Sequence, residues 1–447
     1  MKKPLLFKLL TIGLLMLLLL IPISMIGNSI EERQRYSESV VQDIAKSSSY
    51  SQTLTGPVLV IPYIKTERIA HLNENKERVI EEKQVRGKLH FLPELLRVDT
   101  SMNTELRKRG IYRAHLYHAL NNIDGNFVVP DQFGLGDALS DYQLQPAYIA
   151  LGISDIRGIE NSLSLQWNQA TFPAAPGSQL SALGNGVHIK LGAVAAGKRY
   201  DFSLALQLQG TGQFNLVPIG KETHLNLGSD WPHPSFIGDY LPVERSINQN
   251  GFTARWQTSF FSTNMAELFS HCANKRECGA FAQSQLGVNL IDPINQYVKS
   301  DRAIKYALLF IALTFAGFFL FEILKRLQVH PIQYALVGLS LAFFYLLLIS
   351  LSEHLGFALA YGISATACIS LIGFYVSYVL HSVGRALGFT FAIALLYALL
   401  YGLLSAEDYA LLMGSLLLFS LLGAFMALTR NVDWYNLNNA GKPAGEV

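Results

Sequence analysis

Apolar and polar residues alternate in three different ways along this chain. An unbroken apolar run, Leu5–Ile26, stands behind Met1-Lys2-Lys3. A helix rises about 1.5 Å per residue, so roughly 20 such residues cross a hydrocarbon core about 30 Å thick. The same pattern returns near the C-terminus at Ile304–Leu324, Ile332–Leu351, Leu355–Leu380, Ala386–Leu404 and Tyr409–Leu428. Six membrane-spanning helices are predicted, one N-terminal and five C-terminal. In the first, the apolar stretch Leu9–Ile26 exceeds the roughly 7–15 residues of a cleavable signal. No A-x-A-like site follows it, so an uncleaved anchor over residues 5–26 is expected.

The intervening residues, 27–303, have a different rhythm. Glu31–Ser48 is polar yet clusters Val40, Val41, Ile44 and Ala45, which predicts a helix continuing out of the first span. Past Gly56-Pro57 the period becomes two, the signature of half-buried strands. Strands are predicted at Val58–Ile64, Gly87–Leu92, Ala147–Ile153, Leu163–Trp167, Val187–Leu191, Phe202–Leu208, Gln213–Val217, His224–Leu227 and Phe252–Ser259. Gly, Pro and Asn clusters such as Gly184-Asn185-Gly186 divide them. Many short strands with turn signals predict a β-rich, sandwich-like antiparallel domain.

Charge sharpens this division. Of the 68 charged side chains in 447 residues, 53 lie in residues 27–303, 27 acidic and 26 basic. That near-neutral balance argues against a nucleic-acid partner, which would need an excess of cations. The abundance of apolar and aromatic residues excludes intrinsic disorder. Lys2, Lys3, Lys325, Arg326, Arg385, Arg430 and Lys442 fall on one side of the six spans, and Glu353, Glu407 and Asp408 on the other. The positive-inside rule then places residues 1–4 and the tail 429–447 in the cytoplasm, and residues 27–303 outside.

Candidate chemistry is sparse. No Walker A loop, H-E-x-x-H, G-x-S-x-G or EF-hand pattern occurs, and no cofactor is implied. Cys272 and Cys278 are both outside, where an oxidising compartment permits a small bridged loop. His271 beside them leaves too few ligands for a structural metal site. Cys368 reads as a small packing residue within a span. Ser229–Pro242 combines two aromatics, a histidine between prolines and two aspartates, so Trp231, His233, Phe236 and Asp239 form a candidate binding surface. The competing reading makes Trp231 and Phe236 core plugs in a structured loop. Within the spans, ionisable groups avoid the centre. Glu322 sits near the inner boundary with Lys325 and Arg326 as expected partners, and only hydroxyls such as Tyr345, Tyr361, Tyr375 and Tyr397 lie deep.

One anchor, a large outside β-rich domain and five clustered spans resemble the CreD family of bacterial inner-membrane proteins. The likeness is carried by Pro57–Pro62, His90–Leu95, Gly110-Ile111-Tyr112, Ser229–Pro242, Asp301–Glu322, His330–His354 and Leu428–Tyr435, and it covers essentially the whole chain. It implies a bacterial inner-membrane, stress-linked component of cell-envelope integrity, with no catalytic residues to carry over. The function expected is therefore non-enzymatic. The outside domain would bind or brace an envelope or membrane-protein partner from a base set in the lipid bilayer. A transporter or flippase-like module and a periplasmic enzyme acting on envelope material are the rivals.

Overall fold

A computed structural model describes residues 3–72, 78–275, 277–291, 296–325, 329–379, 382–405 and 410–430. Of the loop charges used above for orientation, Lys2, Arg326, Glu407, Asp408 and Lys442 lie outside these residues. The chain divides into two compact units, Met1–Glu38 with Ile294–Val447, and Ser39–Pro293. Helix α1 (Lys3–Ser47) begins in the first and ends in the second, so the expected polar extension of the first span is one continuous helix with it.

The second unit holds the strands. In chain order they are β1 (Gln52–Leu72), β2 (Arg78–Phe91), β3 (Leu95–Arg109), β4 (Tyr112–Val128), β5 (Tyr142–Leu144) and β6 (Ala147–Ile153). Then come β7 (Ser164–Trp167), β8 (Ala170–Pro173), β9 (Ala175–Pro176), β10 (Gly186–Gly192), β11 (Arg199–Thr211) and β12 (Gln213–Val217). Last are β13 (Glu222–Ser229), β14 (Pro234–Gly238), β15 (Glu244–Asn248), β16 (Gly251–Ser259) and β17 (Leu286–Leu290). One sheet follows the order β14-β17-β12-β1-β6-β10-β9, with β2 and β5 also on β1. The other runs β15-β16-β13-β3-β4-β11-β7-β8.

The expected antiparallel arrangement needs correction, because both sheets are mixed. β1 runs parallel to β12 and β3 parallel to β13. Each pair is joined through a long crossover, which a parallel pairing requires and a tight hairpin cannot supply. One apolar core draws on both sheets: Tyr117 of β4 meets Phe214 of β12, and Phe236 of β14 meets Phe252 and Trp256 of β16. Helices α2 (Phe260–Thr263), α3 (Met265–Lys275) and α4 (Gly279–Gln283) follow β16, and Met265, Phe269 and Phe281 join the same core.

The first unit is helical: α5 (Gln296–Lys305), α6 (Ala307–Lys325), α7 (Pro331–Leu355), α8 (Phe357–Val379), α9 (Val383–Ser405) and α10 (Ala410–Thr429). Along α1, Ile12, Leu19, Ile23, Ile26 and Ile30 recur at helical spacing and are buried in one core with α6–α9. Gly338 on α7 permits that approach, since a Cβ there would overlap Leu19 and Phe315. Helix α7 starts at Pro331, with His330 as its cap, and stops at Gly356, whose φ of 79° suits glycine.

Among the described residues, four helices are long and apolar enough to cross a membrane: Phe7–Ser47, Pro331–Leu355, Phe357–Val379 and Val383–Ser405. Gln296–Lys305 and Ala307–Ile323, bent by 45°, make a fifth if taken as one broken span. This is fewer than the six expected. The chain turns at Tyr306 inside the second expected span, and the last expected span begins in 406–409, outside the described residues. Only Leu412–Gly423 qualifies there, as a shorter apolar helix.

Candidate functional site

Ser229–Pro242 crosses from β13 in one sheet to β14 at the edge of the other. The Asp230 carboxylate accepts from the Thr104 backbone N–H and hydroxyl, both at 2.9 Å. The Trp231 indole donates to the carbonyls of His233 and Ile291 at 3.1 Å and lies 4.4 Å from the His115 ring. Phe236 packs edge-on against Phe252 and Trp256. Trp231 and Phe236 thus staple the two sheets, while His233 and Asp239 are exposed. The Trp231 and His233 rings meet edge-on, with centroids 6.0 Å apart. Cys272, buried on α3, is disulfide-bonded to Cys278. Among the described residues no cluster of three or more His, Cys, Asp or Glu is placed to hold a metal.

A more organised surface lies on the solvent face of the second sheet. β3 alternates Leu96, Val98, Thr100 and Met102 inward with Arg97, Asp99 and Ser101 outward, and β13 and β16 do likewise. Cross-strand register aligns Asn122, Asp99, Asn226, Arg255 and Glu244 as one row over β4, β3, β13, β16 and β15. The Asn226 amide donates to Asp99 at 2.7 Å, and Arg255 pairs with Glu244 at 2.8 Å. Beside this row runs a second made of small groups: Ser101, Gly228, Thr253 and Ser246. Long polar side chains next to short ones leave an open trough of about 540 Å³.

Electrostatics around this face are mild. Burial raises the Asp124 carboxyl, with Arg97 opposing and Asp99 reinforcing the shift. Farther along β4, His118 lies 2.9 Å from Glu160, whose hydrogen bond raises the imidazole pKa. The expected strands match β16, β13, β11 and β7 of this sheet but miss its edges, β15 and β8, and its centre, β3 and β4. The alternation of Leu96, Val98, Thr100 and Met102 was the available signal, obscured by the charges of Glu105, Arg107, Lys108, Arg109 and Arg113.

Comparison with known proteins now settles the family. The family model described as "Inner membrane protein CreD" matches residues 4–435. Inner membrane protein CreD of Escherichia coli (strain K12) is 39% identical over 436 residues, 97% of this chain and 94% of the relative. The chain belongs to the CreD family. Two solved structures align weakly. An M1 zinc metallopeptidase from Deinococcus radiodurans has 8% identity and TM-score 0.23, over 44% of this chain and 42% of that one. A Legionella pneumophila protein described as nutrient-binding has 7% identity and TM-score 0.24, over 50% of this chain and 76% of that one. At these scores neither likeness bears on fold or function.

As a CreD-family, multi-pass inner-membrane protein, the chain carries its costliest polar groups in the helical unit. Glu322 of α6 is buried, and it has a partner from α1 that sequence reading did not name. The carboxylate is ion-paired with Lys8 of α1, and it accepts from the Val329 N–H at 3.0 Å and the Tyr334 hydroxyl at 2.9 Å. The side chains of Lys325 and Arg326 lie outside the described ones. Glu353, in the last turn of α7, accepts from the Tyr297 hydroxyl at 3.2 Å and faces Arg33 of α1 at 3.7 Å. Between these two acids the bundle core holds hydroxyls and one thiol. Tyr361 donates to the Tyr397 carbonyl at 2.7 Å, and the Tyr397 hydroxyl donates to the Cys368 sulfur at 3.1 Å. The hydroxyls of Tyr345 and Ser364 are buried with no hydrogen-bond partner.

Proposed function

We propose that this chain is a non-enzymatic inner-membrane protein that supports cell-envelope integrity or stress response by binding or bracing an envelope component with its outside domain. In this reading residues 27–303 are periplasmic, six spans carry them, and both termini are cytoplasmic. The carrying observation is the ordered polar face over β15, β16, β13, β3 and β4, in a unit joined to membrane helices at both ends. Lys8 and Arg33, paired with acids on the C-terminal helices, favour a retained first helix, because cleavage would leave Glu322 and Glu353 without these cations.

The test is photo-crosslinking in intact cells from positions 226 and 246. Reproducible capture of one envelope component from these positions, together with an envelope phenotype when residues 48–291 are deleted, is the expected result. No capture, together with an unchanged envelope phenotype on that deletion, overturns it. A cysteine at Ser246 labelled by an impermeant maleimide, with one at Arg430 protected, is the expected orientation result.

The unpartnered hydroxyls of Tyr345 and Ser364 favour a transport role as the second reading. It requires flux in reconstituted vesicles that Tyr345→Phe reduces. A coupled transporter ordinarily places carboxylates or broken helices near the midplane. Among the described residues Glu322 and Glu353 stand near the ends of their helices, and the bend between α5 and α6 is the broken helix such a reading would use.

A further inference from the structure

We infer that the trough on the second sheet binds a linear glycan, laid across the strands along the row Asn122, Asp99, Asn226, Arg255 and Glu244. This rests on the binding role proposed above and names its ligand class. Neighbouring strands are about 4.8 Å apart, so the five side chains repeat at close to the length of one sugar ring and span about 19 Å. Each bears a planar amide, carboxylate or guanidinium. Such groups meet the two oxygens of a vicinal diol side by side, as they meet each other in bidentate pairs. Two of them are already fixed in orientation, Asn226 by Asp99 and Arg255 by Glu244.

Charge and relief select against other classes. Asp99 and Glu244 balance Arg245 and Arg255 in the trough lining, so no net field draws a polyanion. The apolar members of the lining, Leu227 and Ala254, are buried toward the core, and the exposed Leu120 opposite Ser101 lies outside it, so the trough itself offers no pocket to an apolar peptide anchor. What remains exposed is a mixed set of donors and acceptors beside a floor of Ser101, Gly228, Thr253 and Ser246. That floor is shallow enough for a ring to lie against it. A Cβ at Gly228 would find its nearest neighbour, Thr253 Cγ2, at 3.9 Å, so a side chain fits there and would project into the trough.

The test titrates the full chain, in a detergent without a sugar headgroup, with two oligosaccharide series. One series is β-1,4-linked N-acetylhexosamine, the chemistry of a wall glycan, and the other is unmodified glucose, the chemistry of a soluble glucan. Affinity for at least one series should rise with chain length until the row is filled at about four units. Preference for one series identifies the source. Asn226→Ala and Arg255→Ala should each weaken binding about ten-fold, near the upper end for a neutral hydrogen bond and the lower end for one to a charged group. Gly228→Val should abolish binding without removing any polar group. All three changes lie on the solvent face, so the thermal midpoint should be unchanged, and it serves as the folding control. The inference is overturned if neither series binds, or if binding persists undiminished in Gly228→Val and in the Asn226→Ala/Arg255→Ala double variant. Crosslinking from position 226 to a protein, with no glycan bound, would sink this inference and leave the binding role standing.

Discussion

Glu322 in the helical unit and Asp99 on the second sheet are both carboxylates held by a nitrogen donor from another element. Their surroundings are opposite. Glu322 is buried among α1, α6 and α7, with Lys8, Tyr334 and the Val329 N–H saturating it. Asp99 is exposed, and water competes for every bond it makes to Asn226. In the first place the polar group is costly and must be fully satisfied, so it specifies which helices meet. In the second it costs little, contributes little to folding, and is free to exchange its partner for a ligand. The difference separates assembly chemistry from recognition chemistry within one chain.

The comparison breaks most readily at Glu322. Glu322→Ala strands Lys8 and the Tyr334 hydroxyl, a loss of roughly 3–5 kcal/mol expected of a broken buried pair. Monodisperse protein in detergent should fall sharply, as size-exclusion profiles would show. The paired change Lys8→Met with Glu322→Leu should recover most of it, because two apolar groups leave nothing unpaired. If the single and double variants behave alike, the pair is not what joins α1 to the bundle.

Within the β unit, His90 supplies an intermediate case. Burial, with a smaller contribution from nearby Lys88, lowers its imidazole from 6.5 to about 4, and Nε2 is buried with no hydrogen-bond partner. The unfolded chain therefore binds a proton that the folded one refuses between those values, and stability falls as pH drops through that window. Linkage over this drop from 6.5 to about 4 amounts to about 3 kcal/mol. Melting curves at pH 7 and pH 4.5 should separate less in His90→Leu than in the unaltered protein. His118 runs the other way. Its pKa is raised, chiefly by the hydrogen bond to Glu160, so its contribution is full below 6.5 and fades as pH rises through the raised value. Being partly solvated, it should contribute under about 1 kcal/mol, read as a small loss on His118→Gln at pH 6 and none at pH 9. Smallest of all, Glu244→Ala should shift stability by less than about 1 kcal/mol, since Arg255 keeps its water.

Apolar runs of span length made the helical unit legible as such, but among the described residues four helices qualify as spans, five with the bent pair, against six expected. The continuous α1 was foreseen from Val40, Val41, Ile44 and Ala45, and the family from blocks such as Ser229–Pro242. In that same block Trp231 and Phe236 pack against the core where the chain changes sheets, while His233 and Asp239 stay exposed. The row from Asn122 to Glu244 was not legible. Its five residues come from five strands, and cross-strand register decides which of them align. Nor was the Lys8–Glu322 pair, whose members stand 314 positions apart with nearer lysines and arginines competing for the same acid.

That separation also fixes an order of events on the ribosome. At about 5–20 residues per second, Glu322 is made about 15–60 s after Lys8. With α1 retained as proposed above, it sits in the bilayer throughout that interval with its cation unmatched. A lysine tolerates the wait, because its flexible stem lets the ammonium reach the headgroups until the acid arrives. Reversing the two residues would make the first-made helix carry the carboxylate, whose shorter reach offers less escape. The placement of the base on α1 and the acid on α6 is thus also a timetable for insertion.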